Sequence, residues 1–396
     1  MGAALRRIAI LGVPIDNLSM DETIDAMDRL IETEGFHQVA TANVDFLMKA
    51  IGDEELMDIL HRCDLVLPDG MPLVWASRFM GTPLKERVTG ADLLPRLSEL
   101  SQRKQRRLFL LGATEERSAA AAQWILKNYP GAIIAGRYSP PFGPIEEMDH
   151  AHILGLIEKA EVDILLVAFG NPKQEKWLAM HRSRLNVPLC IGVGASLDFL
   201  SGTHARAPEW MQRAGLEWMH RFYKEPRRLG SRYTTNALGI LRHLSLQMLA
   251  VSTQPRSSAL SRISLFQEDR ALVVTLVGQF TGSVVEEFED AMAQSAAQAE
   301  DCALILDLHL TTSIGADAMG ILVDLSSKMR DQGNQIWLVG MRPSLRRLFR
   351  TAFLHKGLFR IAPKVADALR RIDSMAPNRT PRPPRGPNFL QEEGGR

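Results

Sequence analysis

Cysteine is scarce in this chain: Cys63, Cys190 and Cys302 are the three among 396 residues. They lie far apart and fit no metal-ligand spacing. So sparse a count argues against a disulfide framework and suits a reducing compartment, where such thiols act as small buried apolar groups. No stretch reaches the roughly 18 consecutive apolar residues of a bilayer-spanning helix, so any membrane contact is expected to be peripheral. The opening MGAALRRIAILGVPI has a basic pair before an apolar run too short for a signal-peptide core, and it reads as a first strand. Neither an HExxH string nor a P-loop occurs. No D-x-D triplet occurs either. Many nucleotide-sugar enzymes use such paired carboxylates to hold a divalent ion on a diphosphate. Without one, arginines and backbone N–H groups must offset the diphosphate charge, and no metal or cofactor is expected. Net charge is only +1, which argues against nucleic acid as a main partner.

What the chain has is length and an ordinary core. Apolar residues make up 45% and charged residues 23%, and 396 residues suit two domains. Across residues 1–205, strand-like runs (RIAILG, HQVATANV, LVLPDG, RLFLLGA, AIIAGRY, DILLVAFG, LCIGVGA) alternate with amphipathic stretches such as MDETIDAMDRLIETEG and TEERSAAAAQWILKNYP. This alternation predicts an α/β fold with an open, mostly parallel sheet flanked by helices. Ligands of such sheets collect outside the carboxyl ends of the strands. Residues 206–250 read as a basic helical appendage and 251–262 as a polar linker. A second small α/β domain follows over 263–374, with strands ALVVTLVGQF, ALILDLHL and NQIWLVG and helices VVEEFEDAMAQSAAQ, ADAMGILVDLSSKMRDQG and VADALRRI. The tail, 375–396, is rich in Pro and Arg and is expected to be disordered.

Polar residues at predicted strand ends are the candidates for chemistry. Asp69, in LVLPDGMPLVW, is either a general base or part of an Asp-Gly turn or helix cap. Thr41 and Asn43, in TANVDF, suit hydrogen bonds to a sugar or base, or a cap for the next helix. Arg87, in ERVTGADLL, either holds a diphosphate beside a helix N-terminus or forms a surface ion pair. In AFGNPKQEKWL a buried strand runs into Gly170, Asn171 and Pro172, and Lys173 and Gln174 open a helix. A turn there exposing N–H groups suits phosphate or sugar. IGVGASLDFLSG repeats the pattern at Gly192 and Gly194 but lacks the third glycine of a dinucleotide fingerprint. Residues 206–242 hold eight Lys or Arg against three acids, a balance of +5, with aromatics interleaved. Such a segment suits an anionic membrane surface or a lipid-linked diphosphate, or a solvated face whose aromatics pack inward.

Taken in order over residues 7–240, the strings TANVDF, LPDGMPLVW, ERVTGADL, FGNPKQEKWL, GVGASLDFLSG and RAPEWMQRAGLEWMHRFYKEPRRLGSRY resemble the WecG/TagA/CpsF family of glycosyltransferases. The resemblance implies an inverting, metal-independent transfer from a UDP-sugar such as UDP-N-acetylmannosamine. The implied acceptor is an undecaprenyl-diphosphate-linked sugar, used in surface or exopolysaccharide assembly. By motif it makes Asp69 the general base and places Thr41, Asn43, Arg87, Asn171 and Gln174 in the substrate pocket. Arg206, Arg221, Arg227 and Arg228 fall in an appendage that closes the site at the membrane and supplies the charge of the missing metal. Met71 stands where the family often has a second glycine. The implied location is cytoplasmic, peripheral on the inner face of the plasma membrane.

The second domain resembles a STAS domain, a binding or scaffolding module with a protein partner. Where that family often reads D-S-S-G, this chain has Gly315, Ala316, Asp317 and Ala318. The phospho-acceptor position is then Ala316, and Asp317 is a helix N-cap or a charge mimic. Two other function classes fit parts of the chain. One is a STAS-type signalling protein with a nucleotide-sugar-sensing front domain. The other is an NAD-type oxidoreductase, suggested by GVGAS.

Overall fold

The most apolar runs of the first 200 residues become the strands of one parallel sheet. In the computed structural model these are β3 (His37–Ala42), β4 (Leu65–Pro68), β5 (Arg107–Gly112), β6 (Ile133–Tyr138), β7 (Ile164–Ala168) and β8 (Leu189–Gly192). Their order is β4-β3-β8-β7-β5-β6, with every neighbouring pair parallel. The structure describes residues 7–200, 242–255, 261–268, 270–299, 302–354 and 357–375, with positions 208, 211 and 239 besides. Most of the predicted appendage therefore lies outside the described residues, its last part, 242–250, being helical, and the Pro/Arg-rich tail is outside them from residue 376 on.

Side chains of the central strands alternate between two cores. Leu108, Leu110, Ile164, Leu166, Leu189 and Ile191 face one helix layer. That layer contains α1 (Met20–Glu32), α5 (Gly90–Lys104), α6 (Glu115–Asn128) and α9 (Ser196–Leu200). Phe109, Leu111, Leu165, Val167 and Cys190 face the other, with α7 (His150–Lys159) and α8 (Lys173–Met180). Apolar residues on both faces explain why these strands read as continuous apolar runs. Each fully buried Leu or Ile contributes about 1.5–3 kcal/mol. All three cysteines are free and buried, and burial raises the thiol pKa of Cys63 and Cys190. Among the described residues this unit also has α2 (Val44–Gly52), α3 (Glu54–Arg62) and α4 (Met71–Phe79).

RIAILG, expected in the main sheet, instead forms an antiparallel hairpin. It gives β1 (Arg7–Ile10), paired with β2 (Val13–Asp16). Buried charge fixes the hairpin to the sheet edge. Asp16 Oδ1 accepts from Arg7 Nε at 3.0 Å, and Asp16 Oδ2 accepts from Val66 N of β4 at 2.6 Å. Arg7 also donates to the Cys63 carbonyl at 3.1 Å. A side chain thus occupies an edge position where a further parallel strand was expected.

The chain divides into two compact units, Met1–Phe79 with Pro83–Leu244 and Met80–Thr82 with Ser245–Arg396. Within the segment expected as a linker, 251 and 252 continue the helix that runs from 242, and Gln254 is held by the second sheet. Gln254 accepts from Ile314 N at 2.7 Å and donates to the Ile314 carbonyl at 3.0 Å.

The second unit has a mixed sheet. Its strands are β9 (Arg262–Glu268), β10 (Ala271–Phe280), β11 (Ala303–Asp307), β12 (Thr311–Ile314), β13 (Ile336–Val339) and β14 (Phe359–Ala362). The order is β12-β10-β11-β13-β14, and β9 pairs antiparallel with β10. After residue 261 its described helices are α10 (Ser283–Ala299), α11 (Ala316–Asp331), α12 (Pro343–Thr351) and α13 (Val365–Met375). One sheet face packs against Val365, Leu369 and Ile372 of α13. On the other, α10 and α12 make ring contacts, Phe288 to Phe280 at 5.2 Å and Phe349 to Phe359 at 5.9 Å.

Asp317 does not cap α11 as expected. Gly315 is the N-cap, without a side-chain bond. Asp317 lies in the first turn, and its carboxylate accepts from Thr281 Oγ1 at 3.0 Å and Gly282 N at 2.7 Å. It ties the turn before α10 to the start of α11.

Candidate active site

Parallel pairing brings the chemistry-bearing strings together at one sheet edge. Ala42 of β3 lies opposite Pro68 of β4, so Asn43 and Asp69 leave the sheet side by side. Asp69 N donates to the Ala42 carbonyl at 2.9 Å. Gly70 follows with φ +151°, a backbone that L residues rarely adopt, and a Cβ there would lie 3.9 Å from Asn43 Cβ. The half-buried Asp69 thus sits between an extended strand and the start of α4.

Arg87 reaches the same edge because Val88 N donates to the Pro68 carbonyl at 3.0 Å. Its guanidinium lies 3.5 Å from Asp92, whose other contacts include Thr89 Oγ1 at 2.7 Å. Thr89 caps α5 through Asp92 N. The Arg87 ion pair, one of its two expected roles, is present, and it fixes the guanidinium beside a helix N-terminus.

On the other side of β3, the ends of β7 and β8 are joined by one side chain. Gln174 Oε1 accepts from Gly170 N at 3.1 Å and from Gly194 N at 3.0 Å. Its Nε2 donates to Glu175 Oε1 at 2.7 Å. The two glycine N–H groups, expected to face a ligand, are therefore satisfied from within. The physical reason is that α8 starts directly below both turns. Thr41 Oγ1 likewise donates to the Gly192 carbonyl at 3.2 Å. Asn43 caps α2, accepting from Phe46 N at 3.0 Å, and remains exposed. Asn171 Nδ2 donates to Glu175 Oε2 at 3.2 Å, and Lys49 Nζ donates to both Asn171 oxygens at 3.2 Å.

Glu175 is the residue that sequence reasoning missed. It is 1% exposed, and burial pushes its carboxyl up to about 7. Its two oxygens orient the amides of Gln174 and Asn171, so one buried acid governs the β7 and β8 turns together. Lys49, which also pairs with Asp45 at 3.1 Å, is the nearby cation. The only sequence signal was the proximity of Glu175 to Gln174 in NPKQEKW.

Helices α2, α4, α5 and α8 all begin at this edge, just past Asn43, Asp69, Thr89 and Pro172. Each N-terminus carries a partial positive charge of about half a unit. Convergent helix N-termini favour an anion such as a diphosphate. A separate cavity of about 570 Å³ lies at the opposite edge, lined by Phe36, His37, Asp64 and Arg182. There His37 and Asp64 pair with each other at 2.9 Å. Among the described residues no group of three His, Cys, Asp or Glu is arranged to hold a metal ion.

Residues 8–254 match the profile of the glycosyl transferase WecG/TagA/CpsF family. The chain belongs to that family. Residues 262–368 match the STAS domain, so the WecG/TagA/CpsF unit carries a STAS domain behind it. Two relatives are named N-acetylglucosaminyldiphosphoundecaprenol N-acetyl-beta-D-mannosaminyltransferase. The Bacillus subtilis (strain 168) enzyme is 32% identical over 218 residues, covering 55% of this chain and 83% of that one. The Staphylococcus aureus (strain MRSA252) enzyme is 27% identical over 226 residues, covering 57% and 87%. A solved structure of the anti-sigma factor antagonist SpoIIAA is similar at 15% identity and a TM-score of 0.25, covering 28% of this chain and 97% of that one. Within this WecG/TagA/CpsF enzyme, Asp69, Asn43 and Arg87 meet at the β3–β4 end, and Thr41, Asn171 and Gln174 at the β3–β8–β7 end. Arg206, Arg221, Arg227 and Arg228 lie outside the described residues. No helix of the described residues is long and apolar enough to cross a membrane.

Proposed function

We propose that this glycosyltransferase moves an N-acetylhexosamine, of the UDP-N-acetylmannosamine type, onto an undecaprenyl-diphosphate-linked sugar, with inversion and without a metal. The observation that carries the reading is Asp69 at the strand end, beside Asn43 and Arg87 and among four helix N-termini. The names of the bacterial relatives support the donor and acceptor classes.

In this reading Asp69 takes the proton from the acceptor hydroxyl as that oxygen attacks the anomeric carbon. The bond from that carbon to the UDP oxygen breaks in the same displacement, so the configuration inverts. Negative charge grows on the departing UDP. Arg87, the helix N-termini and arginines of the 206–242 segment stabilise it. The clamp of Gln174, Glu175 and Asn171 holds the neighbouring turns in place for the sugar. The basic aromatic segment brings the enzyme to the membrane face that displays the acceptor, peripheral on the inner leaflet.

The test is UDP release from a panel of UDP-N-acetylmannosamine, UDP-N-acetylglucosamine and UDP-glucose, with a lipid-diphosphate-linked N-acetylglucosamine acceptor. Release is expected with the first donor, to require the acceptor, and to persist in excess EDTA. Acceptor-independent binding with no release from any donor would support the sensor reading instead. Loss of activity in EDTA with recovery on adding a divalent ion would overturn metal independence.

A further inference from the structure

Charge in the STAS domain is sorted by element. Residues 342–371 hold nine Lys or Arg and one acid, Asp367, a balance of +8 with His neutral. Helix α10 holds four acids and no base. The basic segment is concentrated on α12. Arg342, at its N-cap, and Arg346, Arg347 and Arg350 are all exposed. At about 100° per residue the four fall within an arc of about 140°. Leu345, Leu348 and Phe349 occupy the remaining side and are buried in the domain. Among the described residues none of the four arginines has an acid paired with it.

Two exposed aliphatic side chains belong to the same region. Phe359 of β14 meets Phe349 of α12, and Ile361, two residues on, points to that same face while 45% exposed. Strand β14 is the last strand of the sheet, so nothing pairs beyond it among the described residues. At the N-terminal end of α12, Gly340 abuts His309, and Leu310 beside it is 44% exposed.

We propose that α12 and the β14 edge of the STAS domain form a docking surface for an anionic phospholipid bilayer. Four guanidinium groups with no paired acid among the described residues call for an anionic partner, since holding them together without one costs mutual repulsion. Exposed clusters of four or more arginines on one helix face match anionic headgroups, with Ile361 and Leu310 available for shallow burial among them. A second copy of this chain would have to present acids. The acidic helix that could do so is α10, yet Glu286 and Glu289 already have partners within the chain. A bilayer presents many phosphates and needs no such fit. This surface is made of residues of the second unit alone, none of them in the 206–242 segment or among the transfer-site residues, and the proposal does not depend on the transfer chemistry.

The test is co-sedimentation of the full chain with vesicles of phosphatidylglycerol mixed into phosphatidylcholine, at about 0.15 M salt. The quadruple variant R342Q/R346Q/R347Q/R350Q removes the charge at exposed positions. Each arginine near an anionic surface is worth about fivefold in partitioning, so a loss of at least about tenfold is expected, even with the 206–242 segment still present. The four-lysine variant is expected to keep most of the binding. On phosphatidylcholine alone, wild type and variant should bind equally weakly. Equal binding of wild type and glutamine variant to phosphatidylglycerol vesicles overturns the proposal. So does a self-associating wild type, seen by sedimentation velocity, whose glutamine variant is monomeric yet keeps its vesicle binding. That result would assign the surface to a second copy.

Discussion

Glu175 stands between a glutamine and a lysine in PKQEKW, a setting that reads as solvated, yet it is 1% exposed. Its carboxyl rises from an ordinary 4.5 to about 7 because burial disfavours the charge more than the bonds from Gln174 and Asn171 favour it. Between those values the folded chain keeps a proton that the unfolded chain has released. The associated stability is therefore full below pH about 4.5 and lost as pH rises through about 7. Glu175→Gln removes this titration. The melting temperature of the variant relative to wild type should climb between pH about 5 and 8, and a difference independent of pH would contradict the assignment. The places of Asn43 and Asp69 at strand ends were legible because polar residues there stand out against apolar runs, and that of Arg87 because ERVTGADLL reads as the start of a helix. Glu175 and Lys49 were not, because burial and pairing across α2 and α8 are tertiary facts with no local signature.

At the scale of elements, the turn after β8 depends on a glycine for space. A Cβ on Gly192 would lie 2.5 Å from Gln174 Nε2 and 2.6 Å from Glu175 Oε1. Gly192→Ala must push the clamp aside, at about 1–3 kcal/mol by denaturant titration. Because the clamp also holds the Gly170 and Gly194 turns, activity should fall alongside stability. A stable variant with full activity would show that the clamp does not position the site. The buried parallel strands were readable from their apolar runs alone. Strand β2 was not, since VPID is short and carries a proline and a charge, and its register depends on Asp16 reaching Val66. Strand β9 was missed because it is an edge, mostly exposed and poor in apolar signal. Helix α12 was missed because five apolar or small positions in nine are hidden among arginines, and only packing shows which side is buried.

The whole molecule has two units with separate cores, each organised around its own sheet. Their stabilities should be separable, so Asp16→Ala is informative. It leaves the buried Arg7 guanidinium without its carboxylate, at a cost of about 3–5 kcal/mol. In scanning calorimetry it should lower the transition of the glycosyltransferase unit and leave that of the STAS domain in place; a common shift of both would mean that the units unfold together. The two-domain plan was visible in the change from apolar alternation to a polar, serine-rich stretch, although Gln254 proved to be docked on β12. The sorting of charge within the STAS domain emerged only once the helices had positions. The transfer reaction itself turns on Asp69. Asp69→Asn keeps the size and most of the hydrogen bonding but cannot take the acceptor proton. Turnover measured as UDP release should fall by about 10²–10⁴-fold while donor binding, measured by calorimetry, is retained; undiminished turnover in a variant that binds donor normally would contradict its role as the base.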